Sequence, residues 1–171
     1  GFCFYNNVAV AAAHARATGA RRVAVVDYDV HHGNGTQHIF ENDPDVLYLS
    51  IHQFPYYPGT GSADEVGYTG GAGRTVNIPL ELGASDDDYR LVFEQVVAPV
   101  LRQFAPDILL VSAGFDAHRA DPLTGLALSA GDYPLIPERV LALAPPGRSV
   151  VFLEGGYDLD ALEHSVATTA S

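Results

Sequence analysis

Five short apolar runs punctuate this chain, and chemistry-bearing residues follow most of them. They are Arg22-Val-Ala-Val-Val-Asp27, Val46 to Ile51, Arg74 to Pro79, Asp107 to Val111 and Ser149 to Leu153. Short apolar runs bounded by turn residues read as buried strands. Helical patterns separate most of these runs. Asn6 caps an Ala-rich helix that stops at Gly19. A short helix covers Thr36 to Glu41. Ser85 and the acids Asp86, Asp87 and Asp88 open a helix that runs to about Phe104, with a kink expected at Pro99. Gly131 to Ala144 reads as helical in spite of Pro134 and Pro137, and a last helix starts near Asp158. Residues 52–73, rich in Gly, Pro and Tyr, form a long loop, and a second one runs from the fourth strand to about Ala130.

Strands alternating with helices predict an α/β fold, a parallel sheet flanked by helices. In such sheets ligands bind beyond the carboxyl ends of the strands. Asp27, Asp29 and His31 follow the first strand, Ser50 and His52 the second, Asp116 the fourth and Tyr157 the fifth. The sequence therefore places its reactive side chains at one edge of one sheet.

At 171 residues, 47% of them apolar, the chain suits a single domain over residues 1–171. Its formal net charge of −12 argues against binding nucleic acid directly, which needs clustered Lys and Arg, and suits a cationic partner. No apolar run is long enough to span a membrane, and no secretory pattern is visible. Cys3 is the only cysteine, so no internal disulfide can form, and a cytoplasmic, intracellular setting is expected. The chain lacks methionine and opens on Gly-Phe-Cys-Phe, as an excised piece of a longer protein would, incomplete at its N-terminus.

Asp27-Tyr-Asp29-Val-His31-His32-Gly33-Asn34-Gly35 leaves the first strand. An extended segment places residues 27, 29 and 31 on one face. Carboxylate oxygen and imidazole nitrogen suit zinc, or iron and manganese. Ser112-Ala-Gly114-Phe-Asp116 offers Asp116 as a third ligand from a neighbouring strand end. Two acids and one His leave a position open for water, the mark of a catalytic metal. Leu153-Glu-Gly155-Gly156-Tyr157 combines glycines, which let backbone approach a ligand, with a phenol able to donate to an oxyanion. His14, His38 and His164 read as surface residues, His118 as a loop-rim residue, and His52 as either a cavity-lining or a packing residue.

Together these motifs resemble the histone deacetylase superfamily, as do Gly1-Phe2-Cys3, Pro58-Gly-Thr-Gly61 and Ser129. The resemblance extends over nearly the whole chain and implies the arginase/deacetylase fold and a zinc-dependent deacetylase of acetyl-lysine, or of an acetylated polyamine or small amine. It implies Asp29, His31 and Asp116 as ligands of zinc, with ferrous iron the alternative, and Tyr157 as the catalytic tyrosine that stabilises the oxyanion. Phe2 and Tyr57 match walls of a substrate tunnel, Leu123 its rim and Gly155 its floor. Asp27, Asp29, His31, Ser50 and Ile51 match a structural potassium site. Asp27 and Asn34 match the partners that orient the family's pair of catalytic histidines, and His32 reads as support hydrogen-bonded near the metal, not as a ligand.

The chain also departs from the family pattern. A pair of adjacent histidines does the family's acid/base work, upstream of the segment matching Gly1-Phe2-Cys3, and this chain begins after it. Position 34 is Asn, as in class II and many bacterial members, where class I members carry Asp. Two other readings compete. One is a non-catalytic fragment or pseudoenzyme that binds acetylated ligands. The other is an arginase-like ureohydrolase, disfavoured because Ala120 stands where a second metal-binding Asp belongs.

Overall fold

The computed structural model describes residues 4–129, 131 and 135–169. In chain order the elements are α1 (Asn7–Ala17), β1 (Val23–Asp27), α2 (Asn34–Phe40), β2 (Val46–Gln53), β3 (Thr75–Leu80), α3 (Asp86–Val92), α4 (Ala98–Phe104), β4 (Ile108–Ala113), α5 (Leu135–Leu141), β5 (Ser149–Leu153) and α6 (Leu159–Thr169). The five strands form one sheet in the order β3-β2-β1-β4-β5, and every neighbouring pair is parallel. The α/β sheet expected from the apolar runs is the sheet observed.

Successive residues of a strand point to opposite faces, so a central parallel strand must be apolar on both. β1 and β2 are buried along their whole length. On one face Val23, Val25, Val46, Tyr48 and Leu110 pack with Val8, Ala9, Ala12 and Ala15 of α1 and with Phe40 of α2. On the other, Ala24, Val26, Leu47, Leu49, Ile51, Leu109 and Val111 pack with Tyr89, Phe93, Val97, Leu101 and Phe104. The edges are more open. Pro79, which has no N–H to give to a ladder, sits in edge strand β3. In β5, Val150, Val151 and Leu153 are exposed.

Local chemistry sets the helix starts. The Asn6 side chain accepts from the Ala9 N–H at 2.9 Å, and the Ser85 N–H donates to the Asp88 carboxylate at 2.8 Å. The long helix expected from Ser85 to Phe104 is not uniform. Phe93–Val97 forms a wider π turn, closed by the Ala98 N–H donating to the Phe93 carbonyl. Pro99 has no N–H for the next α-helical bond, and the widened turn absorbs that loss where a kink was expected. Several boundaries also shift. α2 begins at Asn34, not Thr36, β2 continues to Gln53, two residues past Ile51, β3 spans Thr75–Leu80, and β4 continues to Ala113, two residues past Val111. Of the helix expected over 131–144, Leu135–Leu141 is helical, and residues 142–144 form a turn and bend in place of its last turn. No helix among the described residues is long and apolar enough to cross a membrane.

Candidate metal centre

β2 and β3 lie to one side of β1, β4 and β5 to the other, so the chain reverses its direction of travel between β1 and β4. Loops diverge at such a switch point and leave a crevice beyond the strand ends. Asp29 and His31 leave β1 there, and Asp116 follows β4. Tyr28 and Val30 are fully buried in the core, so the alternating backbone turns Asp29 and His31 the other way.

Ligand-type atoms of Asp29, His31 and Asp116 lie within 4.8 Å of one another. His31 Nδ1 is 3.1 Å from Asp29 Oδ1 and 3.1 Å from Asp116 Oδ2. Backbone donors hold the opposite oxygens. The Gly155 N–H donates to Asp29 Oδ2 at 2.9 Å and the Val30 N–H to Asp116 Oδ1 at 2.9 Å. Among the described residues this is the one place where at least three such groups converge.

The electrostatics favour a positive charge between the carboxylates. Burial raises the Asp116 carboxyl to about 6, with the Asp29 charge adding and the His31 hydrogen bond opposing. Burial also works against ionised Asp29, yet its hydrogen bonds with His31 hold it below the usual carboxylate range. Burial works against charging His31 too, but hydrogen bonds to Asp116 and Asp29 lift it to about 9. In the metal-free protein a proton on His31 thus takes the place of a cation. Two carboxylates and an imidazole nitrogen facing one point, with the outer oxygens fixed by backbone N–H groups, fit a divalent metal of the zinc type.

Glycine makes this packing possible. A Cβ on Gly155 would lie closer than 3.0 Å to the carboxylates of Asp116 and Asp29, and one on Gly114 equally close to Asp29. The loops after β4 and β5 interlock, the Phe115 N–H donating to the Gly155 carbonyl at 2.8 Å.

Asp27 shares the face of Asp29 and His31 but turns to different partners. Its Oδ1 accepts the Asp29 N–H at 3.2 Å and its Oδ2 the Tyr48 hydroxyl at 3.2 Å. Burial, together with the Asp29 charge, pushes its carboxyl well above the usual range. Ser50 pairs in register with Asp27, and its hydroxyl lies 2.9 Å from His52 Nδ1. Ile51 is fully buried. His52 Nε2 bonds the Gly61 carbonyl at 2.9 Å, so this histidine is a packing residue of the 52–73 loop. His32 also turns to that loop, bonding Thr60 at 2.8 Å and Gln37 at 2.9 Å. Asn34 is the exposed first residue of α2.

Tyr56 stacks on the His31 ring with centroids 5.6 Å apart, and Tyr57 meets the same ring edge-on at 6.2 Å. Tyr57 and Leu123 are exposed, and the Tyr56 hydroxyl donates to the Leu123 carbonyl. Tyr157 follows β5 at the same sheet edge, its N–H donating to Asp121 Oδ2 at 2.8 Å. Phe2 lies outside the described residues. His14, His38 and His164 are exposed and His118 is buried beside the rim loop. Tyr56, with Tyr57, reads from the sequence as a pocket wall, whereas Gly114 and Asp121 were given no role there. Gly114 stands in the quoted motif around Asp116 and Asp121 five residues beyond it, but Asp29 and Tyr157, which they meet, are distant in the chain.

The parallel α/β sheet thus carries a two-Asp, one-His cluster at its switch point. The histone deacetylase domain family model matches residues 1–171, and the chain belongs to that family. It is 49% identical to "Histone deacetylase 10, chloroplastic" of Oryza sativa subsp. japonica, covering 99% of this chain and 39% of that protein. It is 45% identical to a "Probable deacetylase" of Archaeoglobus fulgidus, covering 94% of this chain and 45% of that one. The crystal structure of the HDA15 HD domain superposes with a TM-score of 0.95 at 47% identity, covering 99% of this chain and 48% of that chain. That of the histone deacetylase Clr3 gives 0.92 at 42% identity, covering 97% and 29%. The chain therefore spans less than half the length of each of these relatives.

Proposed function

We propose that this chain carries the metal-binding half of a zinc-dependent deacetylase that hydrolyses the amide of acetyl-lysine or of an acetylated amine. The observation that carries this reading is the convergence of Asp29, His31 and Asp116 within 4.8 Å. Zinc is the better candidate and ferrous iron the alternative, since two carboxylates and one imidazole suit either. Zinc held there supplies a Lewis acid for the carbonyl and lowers the pKa of a bound water to about 7.

The chain's own residues do the rest. Asp29 and Asp116 carry the charge that holds the metal, and backbone N–H groups keep their free oxygens from turning away. The stacked Tyr56 fixes the plane of the His31 ring. Tyr57 and Leu123 form the wall and rim along which an acyl-lysine side chain lies, and Gly155 supplies a floor without a side chain. Tyr157 donates its phenolic proton to the oxyanion that forms on the acetyl carbonyl. Acidic surface attracts the cationic flanks of a lysine peptide or polyamine. Asp27, Asp29, His31, Ser50 and Ile51 surround a structural potassium ion in this reading, and His32 and Asn34 brace the loop behind the metal. The lone Cys3 fits a reducing, intracellular setting.

Calorimetric titration of the metal-free chain with zinc, beside Asp116→Ala, tests the site. One zinc per chain, lost in the variant, is expected; two metal ions per chain would favour the ureohydrolase reading. Acetate release from an acetyl-lysine peptide, measured on protein that also carries the family's upstream histidine pair, tests the activity; the chain of 171 residues alone is expected to be impaired. In that longer protein Tyr157→Phe should keep zinc and lose about 10² to 10³ in rate. Peptide binding without acetate release would mark a non-catalytic binding module.

A further inference from the structure

We propose that Asp121 is a positioning residue that holds the Tyr157 main chain and the Leu123 rim in a fixed relation to His31. The proposal rests on the reading of Tyr157 given above. Asp121 is only 6% exposed. Its Oδ2 accepts the Tyr157 N–H at 2.8 Å and its Oδ1 accepts the Leu123 N–H at 2.9 Å. The Leu123 carbonyl accepts the Tyr56 hydroxyl, and the Tyr56 ring stacks on His31. A continuous line of contacts thus joins His31, Tyr56, Leu123, Asp121 and Tyr157.

The residue type is what the geometry demands. Two N–H groups from segments 34 residues apart in sequence (157 minus 123) converge on one buried side chain. An ionised carboxylate is acceptor-only and satisfies both, with charge-assisted bonds. An Asn would turn its NH₂ on one of them. Gly155 and Gly156 precede Tyr157, and Gly156 takes φ +140°, a backbone conformation that glycine adopts without strain. A misplacement of about 1 Å can cost about 10²-fold in rate.

The test uses zinc-loaded protein that also carries the upstream histidine pair, with Asp121→Ala, Asp121→Asn, Tyr157→Phe or the Asp121→Ala/Tyr157→Phe pair. Amide exchange is read at Tyr157 and Leu123, with Val25 and Leu110 of the central strands as the folding control. In Asp121→Ala, exchange at Tyr157 and Leu123 should accelerate by about tenfold or more while the strands stay protected. Zinc stoichiometry should hold at one, kcat should fall by about 10²-fold with KM nearly unchanged, and the double variant should be no slower than Tyr157→Phe. Unchanged exchange at both amides would overturn the proposal, as would losses that multiply in the double variant. Should Asp121→Ala fail to fold, Asp121→Asn asks the same question with one bond broken. Should Tyr157→Phe leave turnover intact, the reading of Tyr157 fails separately, while loosened amides in Asp121→Ala would still establish the tether.

Discussion

Gly155 donates its backbone N–H to Asp29 Oδ2 at 2.9 Å, across 126 residues of chain. This bond fixes the orientation of the Asp29 carboxylate from the loop of a different strand. A side chain at 155 cannot be accommodated, because its Cβ would overlap both Asp29 and Asp116. Gly155→Ala is expected to stay folded and to weaken zinc binding by about 10- to 100-fold, the range seen when support for a metal ligand is disturbed. Calorimetry against wild type checks it.

The metal-free centre has its own pH signature. His31 is raised to about 9 by Asp116 and Asp29 against the opposing effect of burial. A histidine raised in the folded state contributes stability that is full below its unfolded value of about 6.5 and is lost as pH rises through about 9. In the presence of a chelator the melting temperature should therefore decline over this interval more steeply than that of His31→Asn. Parallel curves for the two proteins would contradict the arrangement.

His52 behaves in the opposite sense. Burial is the largest cause lowering it to about 4. A histidine lowered in the folded state contributes stability that is present above about 6.5 and lost as pH falls towards 4. The contribution is on the order of 3 kcal/mol at most. His32 is lowered too, chiefly by burial, and acts in the same direction. Urea midpoints should drop across this window in wild type, and the drop should shrink in His52→Asn.

Ala105 closes α4 in the left-handed region, at φ +49° and ψ +69°. A residue with a Cβ is strained there by about 1 to 2 kcal/mol, whereas glycine is not. Ala105→Gly should raise stability by about 1 kcal/mol and the melting temperature by about 2 to 4 °C. Denaturant unfolding measures it directly, and the zinc site should be unaffected.

Much of the fold was legible because its signals are local. Val23 to Asp27 and Val46 to Ile51 are apolar on both faces, which a central parallel strand requires. Asn6 and the Ser85 to Asp88 segment cap helices through bonds that reach only three residues. The misjudged places are those where a local rule competes with packing. Pro99 signalled a kink and produced a π turn. His52 was left between two roles, because burial against Gly61 and Ser50 is not written in its neighbours.

The sequence by itself determined the family, the parallel sheet and the identities of Asp29, His31 and Asp116, because residue type and strand-end position are carried by short contiguous motifs. Only the tertiary structure decided how those residues meet. It showed that Nδ1 of His31 faces both carboxylates, that Val30 and Gly155 hold the outer oxygens, and that Asp121 and Tyr56 tie the rim to the ligand loop. Each of these relations, except those of His31 with Asp29 and of Asp121 with Leu123, joins segments distant in the chain. Such contacts depend on strand order and on close backbone approach at glycine, which no local pattern records.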